Sequence, residues 1–253
     1  MAIIGIMDSG VGGLSVYREI RKILPGEHFI YFSDNAHCPY GEKSREYIID
    51  RLRHITDYFI GRGAQAMVLA CNTATSAAIA MLREEYEIPF VGMEPAIKPA
   101  ISDTTSGTVG VLATHGTLQG DKYQTTRDKY AEGVRVLEHV GEGFVELVES
   151  GCLEGPEAED TVKKSLKPLL DAGADRIVLG CTHYPFLLDT LRKVAAGLGH
   201  PDVVFIDPAP AVARQLAAVL KEKGIGTDPL ARPETEFISS GDPAALKRTI
   251  KLI

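Results

Sequence analysis

The sequence predicts an α/β protein made of two similar halves, each a parallel sheet with helices on both faces. Two observations predict it. Short β-rich runs alternate with longer amphipathic stretches, and one segment recurs 110 positions later, at 173 as at 63. Ile3–Met7 reads as a buried strand, and Gly10–Gly13 is a glycine turn. Leu14, Tyr17, Ile20 and Leu24 form a helical stripe that stops at Pro25-Gly26. His28–Ser33 is the second strand. Ser44 caps a helix carrying Tyr47, Ile48, Leu52, Ile55 and Phe59, which ends near Gly61–Gly63. Ala66–Ala70 is the third strand, an alanine-rich helix follows Thr73, and Phe90–Met93 is the fourth strand. The rhythm resumes with strands at Thr108–Ala113, Val134–His139, Arg176–Leu179 and Val203–Ile206, with helices between them, and a last helix at Pro210–Lys223.

The recurrence runs deeper than one segment. Gly63-Ala64-Gln65-Ala66-Met67-Val68-Leu69-Ala70-Cys71-Asn72-Thr73 aligns with Gly173-Ala174-Asp175-Arg176-Ile177-Val178-Leu179-Gly180-Cys181-Thr182-His183. Ile4–Gly10 aligns with Val109–His115, and Glu94-Pro95-Ala96 with Asp207-Pro208-Ala209. Any two parallel-sheet strands share some likeness, but a cysteine at both strand ends favours two related halves. The chain is expected to cross near Ile97 and return near Asp207. That gives a first domain of residues 1–97 plus 208–253 and a second of 98–207.

Composition narrows the function. The chain has 253 residues, 45% apolar and 24% charged, enough for a sizeable core without staples. Lys+Arg is 27 and Asp+Glu is 34, a formal charge of −7. That balance argues against sequence-independent contact with nucleic acid or anionic membrane. No apolar run approaches the roughly 18 residues of a membrane span, and Ala2–Met7 lacks the basic flank of a signal peptide. Four cysteines at wide spacing make neither a disulfide framework nor a common zinc pattern. The expected location is the cytoplasm, with reduced thiols. Cys38 and Cys152 have no repeat partner, and Cys152 is expected to be a buried small residue.

In open α/β sheets, ligands bind beyond the carboxyl ends of the strands. With a flavodoxin-like 2-1-3 strand order, Asp8 and Cys71 share one crevice, and Thr114 and Cys181 share its counterpart. If the halves face each other, two thiols confront one another across a cleft, each where a strand turns into a helix and the helix dipole favours a thiolate. A disulfide conflicts with a reducing compartment. A metal site of Cys71, Cys181 and His183 is one ligand short. Nucleophilic catalysis needs one cysteine and leaves the other unexplained. Proton transfer uses both: a base removes H⁺ from one face of a carbon and an acid returns it to the other. Asp8, beside Cys71, and His183, two residues past Cys181, are placed to tune those thiols. Asp8–Gly13 is not a dinucleotide fingerprint, because Gly12-Gly13 breaks the spacing.

Asp8-Ser9-Gly10-Val11-Gly12-Gly13-Leu14, Pro39-Tyr40-Gly41, Ala70-Cys71-Asn72-Thr73-Ala74, Gly110-Val111-Leu112-Ala113-Thr114, Gly116-Thr117 and Gly180-Cys181-Thr182-His183-Tyr184-Pro185 occur in this order over most of the chain. Together they resemble the glutamate racemase family. The resemblance implies cofactor-independent and metal-free interconversion of L- and D-glutamate, with D-glutamate supplied to bacterial peptidoglycan. It implies that Cys71 deprotonates D-glutamate and Cys181 L-glutamate, assisted by Asp8 and His183. Glu149 resembles a further acidic residue of the family, although Glu146 stands where a proline is common and is an alternative acid. The substrate's two carboxylates call for amides and hydroxyls, for which Ser9, Asn72, Thr73, Thr114, Thr117 and Thr182 are suited. By resemblance Pro39, Tyr40 and Gly41 form a further contact, and a homodimer is implied. Three rivals remain. An aspartate racemase differs by one methylene of substrate, worth about 1–3 kcal/mol. A two-lobed acid-binding protein would bind without chemistry, and a cysteine hydrolase would form an acyl adduct on one thiol.

Overall fold

A computed structural model describes residues 2–226 and 233–253. The chain divides into two compact units, Met1–Met93 with Ala209–Ile253, and Glu94–Pro208. The first comprises β1 (Ile3–Asp8), α1 (Leu14–Ile23), β2 (His28–Ser33), α2 (Arg45–Gly61), β3 (Ala66–Leu69), α3 (Asn72–Glu85) and β4 (Phe90–Gly92). The second comprises α4 (Ile97–Asp103), β5 (Thr108–Ala113), α5 (His115–Leu118), α6 (Asp121–Tyr130), β6 (Arg135–Val140), α7 (Phe144–Ser150), α8 (Pro156–Asp171), β7 (Arg176–Gly180), α9 (Leu188–Gly197) and β8 (Val204–Ile206). The chain then returns to the first unit with α10 (Ala209–Glu222), β9 (Thr235–Ser239) and α11 (Ala244–Thr249).

Both sheets are wholly parallel among the described strands. The first runs β4-β3-β1-β2-β9 and the second β6-β5-β7-β8, so the same 2-1-3-4 order occurs twice. The central strands are buried on both faces, which is why residues 3–7 and 109–113 read as unbroken apolar runs rather than alternating ones. Around the first sheet, α2 turns Ile48, Leu52, Ile55 and Phe59 inward, and α1 turns in Leu14, Val16, Tyr17 and Ile20. Ser44 caps α2, accepting from the Tyr47 amide at 3.2 Å.

The repeated Gly-Ala has a structural reason. Gly63 and Gly173 take φ of +80° and +90°, a left-handed conformation that ends a helix and points the chain into the next strand. Ala64 then donates to Phe59 O at 2.9 Å and Ala174 to Leu169 O at 3.1 Å. A second repeated glycine lies inside the central strands. A Cβ on Gly5 would stand 2.6 Å from the Phe59 ring, and one on Gly110 would stand 2.6 Å from Ile177 Cδ1 on the next strand and 3.1 Å from Leu169 Cδ1 on the crossover helix. In each unit a strand without a side chain lets the crossover helix pack close.

One strand departs from the sequence expectation. β9 pairs with β2 from Phe29↔Thr235 to Ser33↔Ser239, although no strand is expected there. Every residue of this edge strand is half-buried, so it carries no apolar alternation to read. Cys152, expected to be buried, is half-buried, with Sγ 3.8 Å from Glu157 Oε2. Replacing Gly5 by Ala must displace the rigid Phe59 ring. We expect a loss of about 1–3 kcal/mol, read as a lower urea midpoint at unchanged m.

Candidate active site

In the first unit β1 and β3 are neighbours in register Met7↔Leu69, so the residues that follow them leave the sheet side by side. Asp8 is fully buried, and its Oδ2 accepts from the Gly10 amide at 2.9 Å, closing the turn before α1. Cys71 is buried and caps α3. Its Sγ accepts from the Ala74 amide at 3.5 Å, and its S–H donates to Ser9 Oγ over 3.6 Å. A thiolate at this position faces the positive end of a helix of 14 residues. Asn72 and Thr73 open α3 and are buried. Asn72 Oδ1 is a buried acceptor with no hydrogen-bond partner among the described residues.

A buried carboxylate joins this region to the loop after β2. Asp34 is fully buried and its amide donates to Asp8 O at 2.8 Å. Arg51 grips the carboxylate with two bonds, Nε to Oδ2 at 3.0 Å and Nη2 to Oδ1 at 2.7 Å, and Tyr40 Oη donates to Oδ2 at 2.6 Å. Burial disfavours charge on Asp34, but the bonds from Arg51 and Tyr40 outweigh it and hold the carboxyl below the usual range. Burial, reinforced by the Asp34 charge, pushes the Tyr40 phenol far up. Tyr40 shares an apolar cluster with Met7, Leu69, Cys71 and Ala74. It opens a 3₁₀ turn, Tyr40–Glu42, that includes Gly41 and follows a cis Cys38–Pro39 peptide. The Tyr40 hydroxyl is thus committed to Asp34.

In the second unit β5 and β7 are neighbours in register Ala113↔Gly180, which sets Thr114 beside Cys181. Thr114 caps α5, accepting from the Thr117 amide at 3.3 Å, and the two hydroxyls lie 2.9 Å apart. Cys181, Thr182 and His183 are buried. Cys181 Sγ lies 3.7 Å from His183 Nδ1, and His183 Nε2 lies 2.7 Å from Glu149 Oε1. With Nε2–H donated to the carboxylate, Nδ1 is the acceptor that faces the thiol. Glu149, rather than the exposed Glu146, reaches the imidazole.

One sequence expectation is corrected here. Cys181 does not sit at the start of an α-helix. A 3₁₀ segment, Tyr184–Leu187 with Pro185 inside it, intervenes before α9 begins at Leu188. Pro185 has no amide hydrogen to donate and is accommodated in the first turn of this segment. The His183–Glu149 line stands where a helix N-terminus was expected.

Sequence reasoning missed Asp34 and Arg51. A signal was present: Arg51 falls three residues after Ile48 and four before Ile55, on the buried side of α2. A cation there needs a buried anion. Because the Asp34 carboxyl is lowered in the folded state, its stabilisation is complete above the ordinary aspartate value of about 3.9 and is lost as pH falls through the lowered one. Asp34→Asn is therefore expected to flatten the acid limb of a Tm-against-pH profile while lowering Tm near pH 7.

These features define an α/β enzyme whose candidate catalytic groups are two thiols, one at a helix N-terminus and one on an imidazole–carboxylate line. The model of the Asp/Glu/hydantoin racemase family matches residues 4–216. A glutamate racemase of Pseudomonas entomophila (strain L48) is 50% identical over 251 residues, covering 99% of this chain and 93% of the relative. The structure of Escherichia coli glutamate racemase in complex with L-glutamate and the activator UDP-MurNAc-ala superposes with a TM-score of 0.87 at 34% identity, covering 99% and 94% of the two chains. That of Francisella tularensis glutamate racemase in complex with D-glutamate gives 0.85 at 29% identity, covering 99% and 92%. The chain belongs to the Asp/Glu/hydantoin racemase family.

Proposed function

We propose that this chain interconverts L- and D-glutamate, with Cys71 and Cys181 as the base and acid on opposite faces of the α-carbon. One observation carries the reading: two units of the same strand order each place a buried cysteine just beyond the strand that neighbours the first strand of the unit, β3 in one and β7 in the other. In the L-to-D direction the Cys181 thiolate takes the α-proton and the Cys71 thiol delivers its own. The reverse direction exchanges the roles, and the protons balance.

The environments support both forms of each sulfur. The α3 amides stabilise a Cys71 thiolate, and Ser9 accepts from its thiol. His183 Nδ1 draws the proton from Cys181, and Glu149 orients the ring and stabilises the imidazolium. Asp8 assists on the Cys71 side. The substrate carboxylates fall to the Pro39–Gly41 backbone, Ser9, Thr73, Thr114, Thr117 and Thr182. An unsatisfied buried acceptor is costly, and the substrate ammonium is a donor suited to Asn72 Oδ1. The α-proton of a zwitterion is weakly acidic, so donors aimed at the carboxylate, where charge builds, carry much of the barrier reduction. The scheme uses side chains and main-chain amides of the protein, without pyridoxal or metal.

Glutamate is favoured because relatives about 50% identical over nearly the whole chain are glutamate racemases, and the two structures above hold its two enantiomers. The same reading assigns the product to peptidoglycan synthesis and the protein to the cytoplasm, with a homodimer as its expected state. All four cysteines are free thiols, and no helix among the described residues is long and apolar enough to cross a membrane. In D₂O, each glutamate enantiomer is expected to exchange its α-hydrogen and change optical sign without added cofactor. Cys71→Ala and Cys181→Ala should each lower kcat at least about 100-fold with an unchanged melting curve. A kcat within about tenfold of wild type in either variant removes the two-thiol scheme.

A further inference from the structure

We propose that Arg51 is a positioning residue for substrate binding: by clamping Asp34 it holds the Pro39–Gly41 loop in place beside Cys71. The inference rests on the racemase reading above and deepens it. Arg51 belongs to α2 rather than to the loop, and its guanidinium meets the Tyr40 side chain as well as Asp34. Its fork meets a carboxylate with no solvent exposure, while the guanidinium side chain itself is 24% exposed. The oxygen that takes Arg51 Nε at 3.0 Å also takes Tyr40 Oη at 2.6 Å. The main chain of Asp34 receives the His37 amide at 2.9 Å and donates to Asp8 O at 2.8 Å. One ion pair therefore ties together α2, the end of β1, the end of β2 and the loop that opens at Tyr40. His37 is the other nearby basic group, with Nε2 4.0 Å from Asp34 Oδ1.

Removing Arg51 leaves Asp34 buried with its charge uncompensated, which is the costly way to break such a pair. The carboxylate must take a proton or turn toward solvent, and Tyr40 then loses the acceptor that fixes its ring against the Cys71 cluster. The loop is assigned to holding a substrate carboxylate and moves no proton. Loss of its position should therefore appear in KM rather than in kcat. Lysine keeps the charge but lacks the planar fork, so it restores the clamp only in part. Asparagine at 34 removes the buried charge while its carbonyl still accepts from Tyr40.

The test is steady-state racemisation of both enantiomers, followed by circular dichroism, for the wild type, Arg51→Ala, Arg51→Lys and the double variant Arg51→Ala/Asp34→Asn. We expect Arg51→Ala to raise KM about tenfold for both enantiomers with kcat within about threefold of wild type. Arg51→Lys should fall between the two, and the double variant should recover most of the loss in KM. A folded Arg51→Ala with wild-type KM, or one that loses kcat at constant KM, overturns the inference. If Arg51→Ala does not fold, Arg51→Lys decides, and a wild-type KM in that variant overturns it equally. A wild type inactive on glutamate would instead remove the reading on which the inference rests, and the inference with it.

Discussion

Each unit depends on the parallel pairing of its first strand with its third. Because β1 lies beside β3 and β5 beside β7, the residues that leave these strands emerge as neighbours. Ser9 comes to Cys71 in one unit, and Thr114 is set beside Cys181 in the other. Parallel strands require long crossovers, so each strand end passes into a turn and then a helix on one rim of the sheet. The candidate site residues of each unit collect on that rim, where the backbone has amides to spare. The repeated glycines serve the same pairing: one pair ends the crossover helix, and the other lets that helix rest on the central strand.

Two units of like topology have arrived at unlike surroundings for their sulfurs. Cys71 relies on main-chain amides and a hydroxyl, with the full length of α3 behind it. Cys181 is followed by a turn and a proline, and depends on an imidazole that a carboxylate orients. One sulfur faces the fixed dipole of a helix, and the other faces an imidazole nitrogen.

Asp34 is the structural hinge of the first unit's rim. A fully buried carboxylate is tolerated only with charge-assisted partners, and here one guanidinium supplies two donors and a phenol a third. Such an arrangement is sensitive to the loss of any member. That sensitivity makes it suited to fixing a loop and leaves little room for substitution. Tyr40 consequently acts as a strut whose hydroxyl faces inward.

The alternation of strands and helices, the duplicated Gly-Ala turns, and the placement of a cysteine beyond β3 and β7 were all legible from residues close together in the chain. They follow from periodicity and turn chemistry, which act over a few residues. The residues that complete the sites were not legible in that way. Arg51 reaches Asp34 across 17 positions, Glu149 reaches His183 across 34, and β9 joins β2 from the far end of the chain. Local pattern sets which residues turn inward. Only the packed sheet and its helices decide which inward-facing charge finds which partner, because a buried ion needs a counter-charge wherever the fold brings one within reach.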